Sequence, residues 1–312
     1  MSFAIVFPGQ GSQSVGMLTE FYDNEKVVRS LFTEASECLD YDLWKLVLGG
    51  PKEQLDQTEI TQPALLTSAL AIWHVWRQAG GNIPQIVAGH SLGEYTALVA
   101  AAVLKFKDAV LLVRDRGRYM QDATPPGLGS MAAILGLGDD QVIEVCNREA
   151  CGEIVSVANF NSPGQVVIAG HSAAVNRAAV AALEAGAKKV IPLDVSVPSH
   201  CGLMKEVAGK FSDRLNEVEF NDAVIPVVQN FDAEARTDAG EIRKALVMQL
   251  HQPVKWTDSI IKIQSRGITD IIECGPGRVL SGLIKRIDRG LNTYPLQDPK
   301  SLNTVLATQS EK

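Results

Sequence analysis

Long apolar runs are missing from this chain, and so are long basic ones. The longest apolar stretch, Tyr95–Leu104, is about ten residues, roughly half of what a helix needs to cross a bilayer. Met1-Ser2-Phe3-Ala4-Ile5-Val6-Phe7 has no basic leader and runs straight into Pro8-Gly9, which argues against a secretory signal peptide. Cysteine is scarce, with five residues at Cys38, Cys146, Cys151, Cys201 and Cys274. The number is odd and no C-x-x-C pair occurs, so reduced thiols are expected rather than a disulfide or zinc framework. Lys plus Arg (29) falls short of Asp plus Glu (36), leaving a net charge of −7. An acidic chain without basic runs is not a general nucleic-acid binder, although a local basic patch stays open. The expectation is a cytoplasmic globular protein engaging neither nucleic acid nor membrane.

What is present is apolar and mixed in period. With 46% hydrophobic residues over 312 positions, the chain can bury a core without staples. Its 26 Gly and 14 Pro are scattered without period, which excludes collagen-like and low-complexity classes. Short β-branched runs read as buried strands: Phe3–Phe7, Gln85–Ala88, Ile154–Phe160, Val166–Ala169, Lys189–Val197, Ile225–Gln229 and Asp270–Glu273. Helical periodicity marks Pro63–Ala79, Leu92–Val103, Lys107–Gln121, Ala173–Ala185, Arg243–Leu250 and Thr257–Ser265. The alternation implies an α/β fold with a largely parallel central sheet. Between Pro125-Pro126-Gly127 and Pro198 the order becomes strand, helix, strand, strand, helix, strand, a ferredoxin-like βαββαβ unit. The expected organisation is a large α/β domain from 1–125 and 197–312, with a small inserted domain at 126–196. The last ten residues read as a frayed tail.

The sharpest motif is Gly89-His90-Ser91-Leu92-Gly93, a G-x-S-x-G between an apolar run and a helical one. That context is a nucleophile elbow, in which a strained turn lifts a serine hydroxyl out at a strand end. Ser91-x-x-Glu94 is also a capping box, which would make Ser91 only a helix cap; a capping box, however, needs neither glycine. A serine nucleophile requires a base, and the chain has five histidines. His74 sits mid-helix among tryptophans, His90 diverges from its neighbour, His171 opens a helix and suits a cap, and His251 ends one. His200 lies in the loop where the insert hands back to the large domain, and domain junctions form clefts. Asp194 and Glu206 read as solvated charges, so no simple hydrolase triad is visible. Gly9-Gln10-Gly11-Ser12-Gln13-Ser14 lacks the third glycine and the following acid of a dinucleotide fingerprint, but such a loop can offer backbone N–H groups to an oxyanion. Arg116, between Arg114 and Arg118, reads equally as part of a solvated basic face.

Together these pieces resemble the malonyl-CoA:acyl carrier protein transacylases of bacterial fatty-acid synthesis. The matching segments are Phe7–Gln13, Gly89–Tyr95, Arg116–Gln121, Asn161–Gln165, Pro198–His200, Gln249–Trp256 and Glu273–Gly277, in the family's order and over nearly the whole chain. The resemblance implies an α/β-hydrolase-like large domain with a ferredoxin-like insert. It assigns Ser91 as nucleophile, His200 as base, and the backbone N–H groups of Gln10 and Leu92 as oxyanion hole. Arg116 would hold the malonyl carboxylate. Gln249 would replace the missing acid, its carbonyl accepting the N–H of His200. The partners would be malonyl-CoA and acyl carrier protein, with no metal and no resident cofactor, coenzyme A being a product and phosphopantetheine arriving on the partner. A monomer is expected. Lys188-Lys189 and Lys285-Arg286 are candidates for a patch that meets the acidic carrier. The competing readings are a serine thioesterase sharing the elbow, and a non-catalytic binding protein that retains one.

Overall fold

The computed structural model describes residues 2–125, 127–193 and 197–310. Its main sheet runs in the order β10-β9-β1-β2-β7-β8, built from β1 (Phe3–Phe7), β2 (Ile86–Gly89), β7 (Val227–Val228), β8 (Ala235–Arg236), β9 (Asp270–Cys274) and β10 (Asn292–Leu296). β1 is apolar at every position because it lies between β2 and β9, parallel to both, and is covered on both faces. Phe3, Ile5 and Phe7 join one core cluster, while Ala4 and Val6 join another with Trp256, Ile260 and Ile284. Edge-on contacts of Phe3 with Trp76 and Phe7 with Trp73, at 6.4 and 6.5 Å between ring centres, seat the Thr58–Gln78 helix on the first face.

The insert forms a second sheet, β4-β5-β3-β6, from β3 (Gly129–Leu135), β4 (Val155–Ser162), β5 (Gln165–His171) and β6 (Lys189–Pro192). All its pairings are antiparallel, and its helices Asp139–Glu149 and Ser172–Glu184 fall between strands, as the βαββαβ reading requires. β4 is tied to the large domain by an isolated bridge at Val254, which lies outside the main sheet, with Phe160 N–H to Val254 O at 2.9 Å and Val254 N–H to Ala158 O at 2.9 Å. The expected run of the last strand to Val195 or Val197, the Pro125-Pro126-Gly127 turn, and Asp194 touch residues outside those described.

Several expectations give way. The tail is a helix, Pro299–Ser310, that buries Leu302 and Val305; it opens with Asp298 accepting the Ser301 N–H at 2.7 Å. The helix expected from Pro63 begins at Thr58 and carries Pro63 within it, where the ring withholds the N–H that would reach the Glu59 carbonyl. Ile225–Gln229 is a strand only at Val227–Val228, since Gln229 turns into a hairpin with β8, donating its N–H to Glu234 O at 2.9 Å. β10 carries Pro295 and is an edge strand, the place where a sheet tolerates proline. Among the described residues no helix is long and apolar enough to cross a membrane.

Candidate active site

β2 ends at Gly89, and the Leu92–Ala100 helix starts two residues later. Ser91 therefore takes φ 52° and ψ −107°, a strained conformation for a residue with a side chain. The glycines are dictated by contact. A Cβ on Gly89 would lie 1.9 Å from the Gly93 carbonyl, and one on Gly93 would lie 2.1 Å from Phe7 O. Ser91 makes no capping bond to the helix, so the capping-box alternative fails. Its Oγ lies 2.7 Å from His200 Nε2 instead. Asn230, in the turn between β7 and β8, grips the elbow: its Oδ1 accepts the Ser91 N–H at 2.6 Å and its Nδ2 donates to Gly89 O at 2.7 Å.

His200 is buried and also has positive φ, 58°. Its Nδ1 lies 2.7 Å from the main-chain carbonyl of Gln249. A carbonyl only accepts, so Nδ1 carries the proton and Nε2 presents a lone pair to the Ser91 hydroxyl. The carbonyl is free for a local reason. Gln249 lies in the last turn of the Ala239–His251 helix, and the residue four further on, whose N–H would otherwise reach it, is Pro253. Gln249 is the residue expected to accept this N–H, and it does so with its backbone carbonyl, not its side-chain amide. Burial, reinforced by the nearby charge of Arg116, pushes the His200 pKa down to about 3.

Arg116 projects inward from the Phe106–Asp122 helix and is only 1% exposed. Close packing of that helix on Thr58–Gln78 depends on the next residue, since a Cβ at Gly117 would approach Glu59 Cα to 2.7 Å. Its guanidinium donates to Gln62 Oε1 at 2.9 Å, Gln249 Oε1 at 3.1 Å and Ser91 Oγ at 3.3 Å. It also lies 5.3 Å from the Tyr95 ring centre, a cation–π distance. Those partners are amide and hydroxyl oxygens and a ring face, not carboxylates. The flanking arginines behave as a surface run does: Arg114 pairs with Asp115 at 2.7 Å and Arg118 with Glu59 at 2.8 Å. The solvated-face reading thus holds for the neighbours and fails for Arg116.

Three further residues, which sequence reasoning left unassigned, complete the cluster: Gln62, Asn230 and Glu94. Sequence pattern alone marks Glu94 only as half of a capping box. It is fully buried, its Oε2 accepts from Asn230 N–H at 2.9 Å and Gln249 Nε2 at 3.0 Å, and burial pushes its pKa up to about 8. Beside the elbow lies the Gly9–Ser12 turn, closed by Ser12 Oγ donating to Gly9 O at 2.8 Å and by Gly11 N–H donating to Gln13 Oε1 at 2.8 Å. A Cβ on Gly9 would sit 2.3 Å from His90 O, so this turn abuts the elbow. Gln10 is exposed there, and Leu92 begins the helix after Ser91, where the first N–H groups have no intrahelical acceptor.

The remaining histidines stand apart from Ser91 Oγ. His90 turns away, its Nε2 2.8 Å from Asn161 Oδ1 and its ring 5.5 Å from that of Trp256. His171 does not cap the helix it precedes; its Nδ1 accepts the Ile154 N–H at 2.9 Å. His74 is only half-buried, and His251 closes its helix as expected. Glu206 is solvated and pairs with Lys210. Lys188, just before β6, and Arg286, in the Val279–Ile287 helix, line one recess of about 550 Å³.

The acyl transferase domain family matches residues 4–290, a span that holds every member of this cluster. The chain is 53% identical over 304 residues to a malonyl CoA-acyl carrier protein transacylase of Salmonella typhimurium, covering 97% of this chain and 98% of that one. A solved acyl carrier protein S-malonyltransferase from Vibrio cholerae is 53% identical and superposes with TM-score 0.96, covering 98% of this chain and 100% of that one. A malonyl-transacylase solved in complex with a type II PKS acyl-carrier protein is 51% identical, with TM-score 0.98 over 99% and 100% of the two chains. In sequence, in fold and in the elbow itself, the chain belongs to the acyl transferase domain family.

Proposed function

We propose that the protein transfers the malonyl group of malonyl-CoA to the phosphopantetheine thiol of acyl carrier protein, through a malonyl ester on Ser91. The observation that carries this reading is the buried Arg116 guanidinium 3.3 Å from Ser91 Oγ, beside an imidazole poised to take the serine proton. A planar guanidinium matches a carboxylate bidentately and stays charged at working pH. An acyl group with a distal carboxylate satisfies it, and acetyl leaves it unpaired.

His200 Nε2 takes the Ser91 proton as Oγ attacks the thioester carbonyl. The oxyanion is received by the N–H groups of Gln10 and Leu92. The tetrahedral intermediate collapses, the C–S bond breaks, and His200 returns the proton to the departing coenzyme A thiolate. The carrier's thiol then gives its proton to His200 and attacks the ester, and Ser91 leaves with that proton restored. Gln249 contributes its main-chain carbonyl, which fixes the tautomer without an adjacent negative charge. These steps call on no resident cofactor or metal, and the protein acts as a monomer in the cytoplasm. The insert at 126–196 acts as a separate small domain, and Lys188 at its edge together with Arg286 of the large domain receives the acidic carrier; a relative solved with a carrier bound supports such a partner.

Incubation with malonyl-CoA alone, followed by mass spectrometry of the Ser91 peptide, tests the reading. A malonyl adduct that disappears on adding the phosphopantetheinylated carrier, and never forms in Ser91→Ala, is expected. Coenzyme A release with free malonate and no adduct would instead assign a hydrolase.

A further inference from the structure

Glu94 is a fully buried carboxyl group beneath the elbow, and no step of the transfer uses it. It stands in the first turn of the Leu92–Ala100 helix, three residues after Ser91. Its Oε2 accepts two N–H groups, from the Asn230 main chain at 2.9 Å and from Gln249 Nε2 at 3.0 Å. Its Oε1 has no partner among the described residues. An oxygen that only accepts dictates what faces it. The Gln249 amide must turn its NH2 toward Glu94, where the same nitrogen also donates to the Ser91 carbonyl at 2.8 Å. The amide oxygen is thereby aimed the other way, onto Arg116 Nη2 at 3.1 Å. The flipped amide would set oxygen against oxygen at Glu94 and at Ser91, and NH2 against guanidinium at Arg116.

We propose that Glu94 is a positioning residue for the acyl-carboxylate site: by accepting the N–H groups of Gln249 and Asn230 on one oxygen, it fixes the Gln249 amide with its oxygen on Arg116, and so sets the preference for an acyl group with a distal carboxylate. This rests on the malonyl-transfer reading and extends it. The second arm of the lock reaches the serine directly, because Asn230, held by Glu94 through its main chain, grips the Ser91 N–H and Gly89 O with its side chain. Burial raises the Glu94 pKa to about 8, so near neutral pH the group carries a proton, for which the unpartnered Oε1 is the available position. A neutral Glu94 orders Gln249 without neutralising Arg116, leaving that charge for the substrate.

The test compares Glu94→Gln, which keeps an accepting oxygen and no charge, with Glu94→Leu, which keeps bulk and loses the acceptor. For each, kcat/KM is measured with malonyl-CoA and acetyl-CoA, and labelling of Ser91 by a fluorophosphonate reports whether the elbow is intact. E94Q is expected to hold the malonyl-to-acetyl ratio within about threefold. E94L, still labelled at Ser91, is expected to lower that ratio by about tenfold or more, chiefly through the malonyl KM, as loss of an ordered charge-assisted contact predicts. If E94L does not fold, Glu94→Ser, which also removes the carboxyl, is held to the same expectation. A ratio unchanged in E94L or Glu94→Ser overturns the proposal alone, and so does an E94Q as impaired as E94L. A wild type with no preference for malonyl overturns the transfer reading and the proposal with it.

Discussion

Replacing Arg116 by methionine removes the charge while keeping an apolar side chain of comparable length. In the wild type the guanidinium is 1% exposed and rests on two glutamine amides and the Ser91 hydroxyl. A malonyl carboxylate entering this site gains hydrogen bonds to a charged donor, each about 1.5–3 kcal/mol. Two such bonds in a bidentate pair give about 3–6 kcal/mol, and each 1.4 kcal/mol is about tenfold in rate. Malonyl kcat/KM should therefore fall by between about 10² and 10⁴. Acetyl transfer has no carboxylate to lose, and the variant spares it the cost of facing an unpaired buried cation. Because Nη2 also contacts Ser91 Oγ, some loss common to both substrates is expected, and the informative quantity is the ratio. The assay is coenzyme A release from malonyl-CoA and acetyl-CoA in the presence of the phosphopantetheinylated carrier, on wild type and Arg116→Met. Arg116→Lys should fall between them, since a point ammonium keeps the charge but cannot reach both glutamines and the substrate. A parallel fall, with the malonyl-to-acetyl ratio unchanged, would refute the assignment of Arg116 to the acyl carboxylate.

Two further expectations follow from the same geometry. Burial and then the Arg116 charge hold His200 down at about pKa 3, and the base must be neutral to act, so the acid limb of kcat/KM for serine acylation should lie well below pH 6.5 and activity should persist at pH 5. The linkage has the same sign: an unfolded histidine binds its proton as pH falls through 6.5 while the folded one does not, so this group's contribution to stability is full above 6.5 and is lost toward pH 3; an acid limb at 6.5 in a pH–rate profile would contradict the burial. Charge reversal at Lys188 and Arg286 together should raise KM for the carrier several-fold and flatten its salt dependence, while leaving the rate of Ser91 malonylation by malonyl-CoA unchanged; a carrier KM that does not move removes those residues from docking.

The α/β class, the βαββαβ insert and the elbow serine Ser91 were legible because each rests on local pattern, whereas His200 stands out by its place at the junction of insert and large domain. β1 is five apolar residues in a row because it is covered on both faces, and Gly89 and Gly93 flank the serine because no Cβ fits at either place. Arg116 could not be told from Arg114 and Arg118 by composition; what separates them is which way each side chain leaves the Phe106–Asp122 helix, and Gly117 is the local mark of the face that packs closely. Glu94 and Asn230 lie 136 residues apart in sequence, so their pairing has no local signature. The third member of the base system eluded a search for acids for a deeper reason. The group on His200 Nδ1 is a backbone carbonyl, and a carbonyl carries no residue identity to search for. Its trace is Pro253, four residues on, which withholds the N–H that would otherwise occupy it. A dipole freed by a proline performs the orienting role of a carboxylate without adding a negative charge. If Arg116 holds the malonyl carboxylate as proposed, an ionised carboxylate at that position would compete with the malonyl group for it. On the proposed roles of Arg116 and Glu94, the neutral carbonyl behind His200 and the Glu94 carboxyl behind Gln249, whose pKa burial raises, answer the same electrostatic requirement.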